Sequence, residues 1–192
     1  MASDTRERLV RSTSRLLRTQ GYTATGLNQV MAEADAPKGS MYFHFPGGKV
    51  QLAAAAVDLF AERSTSRMRR YVAEHDTVCG AVSAIFDAYV EHLERTGYTE
   101  GCAVATVALD AASAHEQLAD ATGRALHAWT DVLAEALEAE GRPPAEAHAL
   151  ATLVIAAIEG TVVMAKGEQS TEPIATTRDV LRTILAPPAA EG

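Results

Sequence analysis

Apolar side chains recur at helical spacing along almost the whole chain. In the first segment Leu9, Leu16 and Leu17 fall on one helical face, and Gly21 stands where a helix commonly ends. No segment alternates apolar and polar residues over a useful length, as a half-buried strand does. The pattern therefore predicts an all-α protein with about nine helices.

Three of the predicted helices fall close together at the N-terminal end. We expect a first helix over about residues 5–20, a short second helix over about 26–34 and a very short third helix over 38–43. Thr25 is placed to cap the second helix, and Pro37 stands at the start of the third, where its missing N–H costs nothing. After the Phe-Pro-Gly-Gly break at 45–48, a long helix over 49–74 would link a domain at 1–50 to a second domain at 51–192.

The rest of the chain predicts five further helices and no membrane span. Their apolar stripes lie at 82–93, 102–112, 118–137, 147–162 and 180–185. The longest apolar run, 149–158, stops at Glu159 and is shorter than the roughly 18 residues that a membrane helix needs. The first residues lack the apolar core of a secretory signal. We expect a cytoplasmic protein that does not bind a membrane.

The net charge of −8 conceals an asymmetry between the two ends of the chain. Residues 1–70 contain 11 Lys and Arg residues against 6 Asp and Glu residues, a balance of +5, whereas residues 71–192 contain 6 against 19, a balance of −13. Local charge attracts a phosphate backbone more than total charge does, so the basic end favours a nucleic-acid partner. A simpler interpretation stays open, in which the arginines at 63–70 only solvate a helix face.

The short third helix carries the residue types that contact DNA. A helix, a tight turn and a second short helix allow a helix N-terminus to enter the major groove. Met41 and Phe45 are spaced to anchor the segment inward. The positions left for a base, a phosphate or a close backbone approach are Lys38, Gly39, Ser40, Tyr42 and His44. Composition alone would also allow Tyr42 and His44 to be ordinary surface residues.

Three short segments at this end match a known sequence pattern. They are Arg-Glu-Arg-Leu at 6–9, Gly-Tyr-Thr-Ala-Thr at 21–25 and Ala-Pro-Lys-Gly-Ser-Met-Tyr-Phe-His-Phe at 36–45. Together they resemble the DNA-binding domain of the tetracycline-repressor (TetR) family of bacterial transcriptional regulators. The resemblance implies a helix-turn-helix over about Leu27–Phe45, a homodimer on palindromic operator DNA, and release by a small-molecule ligand. The DNA contacts that it implies are Thr25, Gly26, Pro37, Lys38, Gly39, Ser40, Tyr42, His44 and Lys49.

The sequence also departs from the family pattern. Gly26 stands where the family often has Ser or Thr, so the phosphate contact passes to Thr25. Asn28 and Gln29 stand where an acidic residue is common. The segments 25–29, 45–49 and 101–105 are similar to the branch that contains repressors of lincomycin-resistance genes.

A protein that binds palindromic DNA needs a dimer contact in its second domain. The last two long predicted helices offer apolar stripes with small residues that allow close helix approach. We expect the interface to comprise Leu150, Val154, Ala157, Ile158, Val162, Leu181 and Ile184. The same stripes would equally pack within one chain, and this alternative stays open.

A pocket for a small lipophilic ligand is predicted in the second domain, on helices that should face one another. Its candidate residues are Phe86, Tyr89, Val90, Leu93, Thr106, Leu109, Asp110 and Trp129. Asp110 and Glu159 are acids within apolar runs. Each would be the counter-charge of a cationic ligand, or would instead lie at a helix rim or in a salt bridge.

Other classes of function have little support in the sequence. With 47% hydrophobic and 22% charged residues, the composition is that of a globular protein and excludes a disordered or fibrous chain. Phosphate-loop, dinucleotide, nucleophile-elbow and zinc-protease motifs are absent, and Cys79 and Cys102 lack metal-ligand spacing. We predict no enzymatic activity, no metal and no cofactor. The remaining alternative is a helical protein-interaction module, in which changes at Lys38 and Tyr42 would leave function intact.

Overall fold

The computed structural model describes residues 2–37 and 39–186, and over this part of the chain the only regular elements are helices. The α-helices are α1 (Ala2–Ala24), α2 (Leu27–Glu33), α3 (Ser40–His44), α4 (Gly48–Glu74), α5 (Val78–Arg95), α6 (Ala103–Asp110), α7 (Glu116–Ala139), α8 (Pro144–Glu168) and α9 (Glu172–Ile184), with a 3₁₀ turn at Ala112–Ala114. The prediction of an all-α protein is confirmed.

The helices form two compact units. The first contains the described residues up to Ser64 together with Glu100–Leu126, and the second contains Thr65–Thr99 together with the described residues from His127 onward. Helices α4 and α7 contribute to both units. The division expected at residue 50 does not coincide with these units, because α6 packs along α1 and therefore belongs with the N-terminal helices.

Helix α1 is the support of the first unit. It packs against α2, α3 and α6, and its inward face buries Leu9, Leu16 and Leu17. Gly21 has φ 77° and ψ −178°, which interrupts the regular helix and turns the chain toward α2. The glycine thus stands at the predicted end of the first helix, although helical hydrogen bonding resumes up to Ala24.

The second unit is built on packing among α5, α8 and α9. The hydroxyl of Thr77 caps α5 by accepting a hydrogen bond from the Gly80 N–H at 3.1 Å. The Arg178 guanidinium on α9 donates to the Asp87 carboxylate on α5. Polar contacts at the surface therefore reinforce the apolar packing of these helices.

Helix α8 is apolar on more than one face. It is long and apolar enough to span a membrane, which the count of uninterrupted apolar residues did not indicate. The core helix of a soluble protein passes the same test, and Val154, Ile158 and Val162 of α8 are buried within the chain. This composition is therefore only weak evidence for a membrane span.

Candidate functional site

Helix α3 is held in place by two buried side chains. Met41 and Phe45 are each 1% exposed, which confirms that they anchor the segment inward. The Phe45 N–H donates to the Met41 carbonyl at 2.8 Å and ends the helix. Because the helix has only five residues, its orientation depends on these anchors and on α1 rather than on its own length.

The opposite face of α3 exposes two aromatic rings. Tyr42 is 63% exposed, in agreement with its prediction as a residue free to meet a partner. Phe43 is 77% exposed, and sequence reasoning did not select it. The signal was present, because Phe43 is two residues from each of the inward anchors Met41 and Phe45, which places it on the opposite side of the helix. Two adjacent exposed aromatic side chains are unusual on a surface that meets only water.

The turn before α3 lies at the protein surface. Pro37 and Gly39 are exposed, and the Ser40 hydroxyl donates to the Pro37 carbonyl at 2.7 Å. Helix α3 begins at Ser40 and not at residue 38 as predicted; Lys38 itself lies outside the described residues. His44, half-buried, closes the segment with its ring edge-on to Phe43 at 5.0 Å between centroids.

Arginines of α1 fix the helices that carry this surface. Arg8 donates to the Asp35 carbonyl at 3.2 Å, where the chain turns between α2 and α3. Arg15 donates through Nε to Glu33 at 2.6 Å, and this hydrogen bond raises the pKa of the guanidinium. Arg6 lies over the Phe45 ring at 5.1 Å. Part of the basic charge at the N-terminal end is therefore structural.

Thr25 does not have the position that the sequence predicted. Its side chain is buried, and its hydroxyl donates to the Gly21 carbonyl at 2.5 Å. The N-cap of α2 is Gly26, with no side-chain hydrogen bond. The predicted cap at Thr25 is wrong, because the kink at Gly21 leaves a carbonyl that the threonine satisfies. The hydroxyl therefore has no surface from which to bind a phosphate.

Lys49, in the first turn of α4, is engaged within the protein. Its ammonium lies 4.3 Å from the centroid of the Tyr22 ring and donates to the Thr23 carbonyl at 3.3 Å. Burial lowers the pKa of Lys49, and the nearby Asp110 charge partly opposes this shift. Burial and, secondarily, Asp110 raise the pKa of Tyr22.

Asp110 belongs to the same cluster as Tyr22, Thr23 and Lys49. Its carboxylate accepts hydrogen bonds from the Thr23 N–H and the Thr23 hydroxyl, each at 2.7 Å. These bonds lower the pKa of Asp110, burial opposes them, and the Tyr22 backbone and Lys49 add to the lowering. The sequence had offered a counter-charge for a ligand or a place at a helix rim, and the structure favours the second.

The other predicted pocket residues divide between the two units. Phe86, Leu93 and Trp129 are buried, and Tyr89 and Val90 half-buried, in the second unit. In the first unit Thr106 donates to the Cys102 carbonyl at 2.7 Å, and Leu109 is 83% exposed. Neither unit by itself assembles the predicted set.

A groove on the first unit contains none of those residues. It has a volume of about 430 Å³ and is lined by Arg6, Glu7, Val10, Ala55, Asp58, Leu59 and Glu62. Its charged lining does not suit a lipophilic ligand. Among the described residues, no group of three or more His, Cys, Asp or Glu side chains is placed to hold a metal ion.

The structure revises the expected dimer residues. Four of them are buried inside the single chain and have no surface to offer a partner: Val154, Ile158, Val162 and Leu181. Leu150 and Ala157 are half-buried, and Ile184 is exposed. The exposed apolar or small residues of α8 and α9 include Leu153, Ala156, Gly160, Val163, Met164, Val180 and Ile184. We call this set the α8–α9 outer face.

Both the N-terminal and the C-terminal parts of the chain match known protein families. Residues 9–56 match the model of bacterial regulatory proteins of the tetR family, and residues 79–180 match the C-terminal domain of LmrA/YxaF-like transcriptional regulators. The HTH-type transcriptional regulator LmrA of Bacillus subtilis is 34% identical over 175 residues, covering 89% of this chain and 91% of LmrA. The uncharacterized HTH-type transcriptional regulator Rv0196 of Mycobacterium tuberculosis is 32% identical over 185 residues, covering 94% of this chain and 93% of that protein.

Solved structures agree with these matches. The crystal structure of a TetR transcriptional regulator from Chloroflexus aurantiacus superposes with a TM-score of 0.81 at 28% identity, covering 95% of this chain and 94% of that one. The tetR-family model, which contains segments 21–25 and 36–45, confirms the resemblance drawn from the N-terminal segments, and the C-terminal model adds a match over residues 79–180. The family is one of transcription regulators and not of enzymes, as predicted. The chain belongs to the TetR family of bacterial transcriptional regulators and has an LmrA/YxaF-like C-terminal domain.

Proposed function

We propose that this regulator is a repressor that binds palindromic operator DNA as a homodimer and leaves it when a small lipophilic ligand binds. The observation that carries the proposal is helix α3, which buries Met41 and Phe45 and presents Tyr42 and Phe43 outward. Aromatic rings on a helix whose opposite side is anchored are positioned to enter a DNA groove as a rigid unit.

The proposed contacts divide between the DNA backbone and the bases. Tyr42 donates to a phosphate, and Phe43 packs on thymine methyl groups, which are the apolar feature of the major groove. The other contacts that we propose are Gly26, Pro37, Lys38, Gly39, Ser40, His44 and the start of α4 at Lys49.

Selection of bound sequences from a random duplex pool tests this proposal. We expect an inverted repeat whose half-sites lie about one helical turn, or roughly 34–36 Å, apart. Phe43→Ala should lower the preference for thymine within each half-site. The exposed Leu109 is a matched control, because Leu109→Ala trims an exposed apolar side chain outside α3. Recovery of no repeated sequence would contradict operator recognition.

For the homodimer we propose the α8–α9 outer face. Val163 is 58% exposed, and burying the exposed part of a valine contributes about 1–1.5 kcal/mol. In a two-fold symmetric interface both copies of Val163 are buried, so removing this side chain weakens the dimer by roughly 2–3 kcal/mol. Val163→Asp also places a charge in the interface and should give monomers in sedimentation analysis at micromolar concentration.

Ile158 provides the control for that substitution. It lies on the same helix but is only 4% exposed, so Ile158→Val should lower the free energy of unfolding by about 0.5–1.5 kcal/mol and leave the dimer intact. A Val163→Asp protein that remains dimeric while Ile158→Val shows the expected loss of stability would contradict the α8–α9 outer face as the interface.

The ligand response that we propose acts through helix α4. This helix extends from Gly48, close after α3, to Glu74, so its movement would reorient the DNA-binding segment. A ligand shifts the equilibrium only by its differential affinity for the two states, typically about 1–3 kcal/mol. Calorimetry with any compound that releases operator DNA should show weaker binding to the DNA complex. Equal affinity with and without operator would refute this mechanism. The site of action is the cytoplasm, at the nucleoid.

A further inference from the structure

Helix α6 is fastened to α1 at both of its ends, within the first unit. Before its start, the Gly101 N–H donates to the Arg18 carbonyl at 3.0 Å, and Arg18 Nε donates to the Gly101 carbonyl at 3.2 Å. Arg18 also pairs with Glu100 at 3.1 Å. At its end, Asp110 accepts the two hydrogen bonds from Thr23. The second attachment falls on the turn that leads from α1 into α2.

Thr23 is held by three polar contacts at once. Its N–H and its hydroxyl donate to Asp110, and its carbonyl accepts from Lys49 in the first turn of α4. Lys49 additionally lies over the Tyr22 ring. The segment that contains α2 and α3 therefore lies between two parts of the chain, at Tyr22–Thr23 and at Lys49, that contact each other through Thr23, and Asp110 binds Thr23 as well.

Gly21 makes the approach of Asp110 possible. Its φ of +77° is one that other L residues rarely adopt, and a Cβ built there would lie 3.0 Å from Asp110 Oδ2 and 3.2 Å from the Thr106 methyl. The sequence therefore combines an acid at the end of α6, a glycine that gives it room, and a threonine that offers it two donors.

We propose that Asp110 is a positioning residue for operator binding, holding the turn at Tyr22–Thr23 and, through Lys49, the start of α4 so that α3 has a fixed orientation. This inference rests on the proposed function. It makes a counterintuitive prediction, because removing an acid from a DNA-binding unit ordinarily strengthens attraction to phosphates. Loss of the Asp110 carboxylate should instead weaken binding.

The test measures operator affinity by fluorescence anisotropy in matched variants. Asp110→Ala should weaken operator binding about tenfold, as expected for loss of charge-assisted hydrogen bonds. Asp120, exposed on α7 in the same unit, is the control, since Asp120→Ala removes the same charge and should leave affinity equal or slightly higher. Asp110→Asn, which retains one acceptor oxygen, should recover part of the loss.

A second variant and a second readout separate positioning from unfolding. Thr23→Val keeps the shape of the side chain and removes the hydroxyl, and combined with Asp110→Ala it should add little further loss of affinity. Amide hydrogen exchange at Thr23 should accelerate in Asp110→Ala while amides of α8 keep their protection. Additive losses in the double variant, or unchanged Thr23 exchange, would overturn the role.

The outcomes distinguish this inference from the proposed function. Wild-type protein that binds no operator overturns both. If wild-type and Asp120→Ala proteins bind operator and Asp110→Ala binds it as tightly or more tightly, only the positioning role of Asp110 is overturned. Weaker binding confined to the Asp110 and Thr23 variants supports it.

Discussion

Gly39 offers a substitution whose effects on stability and on DNA binding should have opposite signs. Its φ of −81° and ψ of −16° lie in the helical region that alanine adopts freely, and a Cβ there would meet no protein atom within 4 Å. Replacing such a glycine by alanine stabilises the fold by about 0.4–1 kcal/mol through the unfolded chain. For a domain of this size the midpoint of thermal unfolding should rise by roughly 1–4 °C.

Operator affinity should fall in the same variant. Neither the backbone conformation of Gly39 nor the space around it requires glycine, so a steric need for it would arise from the DNA backbone approaching the turn before α3. A methyl group in that contact should cost about as much as one mismatched base pair, 1–3 kcal/mol, or roughly 5- to 150-fold in affinity.

The assay pairs thermal unfolding with anisotropy titration of a labelled operator duplex. Gly123→Ala in α7 is the control, because a Cβ there also meets no protein atom within 4 Å. It should raise stability by about 0.5–1 kcal/mol and leave affinity unchanged. Gly39→Ala protein that is stabilised and still binds operator with wild-type affinity would refute a close DNA contact at this turn.

Three further predictions follow from the same contacts. Tyr42→Ala should weaken binding to operator and scrambled duplexes by a similar factor in the titration, since a phosphate contact carries no base preference. Gly21→Ala should lower the free energy of unfolding in urea by about 1–3 kcal/mol, because φ 77° with ψ −178° is a backbone conformation almost confined to glycine and a Cβ would crowd Asp110. The lowered pKa of Asp110 stabilises the folded state at neutral pH, and this contribution disappears as pH falls through the folded-state pKa. The difference in unfolding free energy between wild type and Asp110→Ala should therefore narrow as pH falls below 3.8, the ordinary pKa of an aspartate. A difference independent of pH would contradict the lowered pKa of Asp110.

The DNA-binding segment was predictable because its determinants are local. The spacing of Met41 and Phe45 along the chain is sufficient to identify the inward face of α3. The same local reasoning failed for Thr25, because the backbone break at Gly21 creates a carbonyl acceptor that sequence spacing does not reveal. A hydroxyl before a helix predicts a cap only when no other acceptor competes for it.

The dimer face shows a different limit of sequence reasoning. Helix α8 is apolar around much of its circumference, so the regular stripe through Val154, Ile158 and Val162 was as compatible with the chain's own core as with a partner. In the structure this stripe is buried in the chain's own core, whereas Leu153, Val163 and their neighbours are exposed.

Asp110 illustrates why the remaining contacts were out of reach. It is 87 residues from Thr23, and helical periodicity carries no information on which distant turn a helix end will meet. Asp110 follows a run of apolar residues, and this pattern is as compatible with a counter-charge for a ligand as with a hydrogen bond inside the protein.

The central claim is specific recognition of operator DNA, and titration of the purified protein with the duplex upstream of its own gene tests it most directly. The control is a scrambled duplex of the same composition, and both are measured over a series of salt concentrations. We predict tighter binding to the upstream duplex, with a logarithm of the binding constant that falls linearly and steeply with the logarithm of salt concentration. Equal affinity for both duplexes at every salt concentration would contradict the claim.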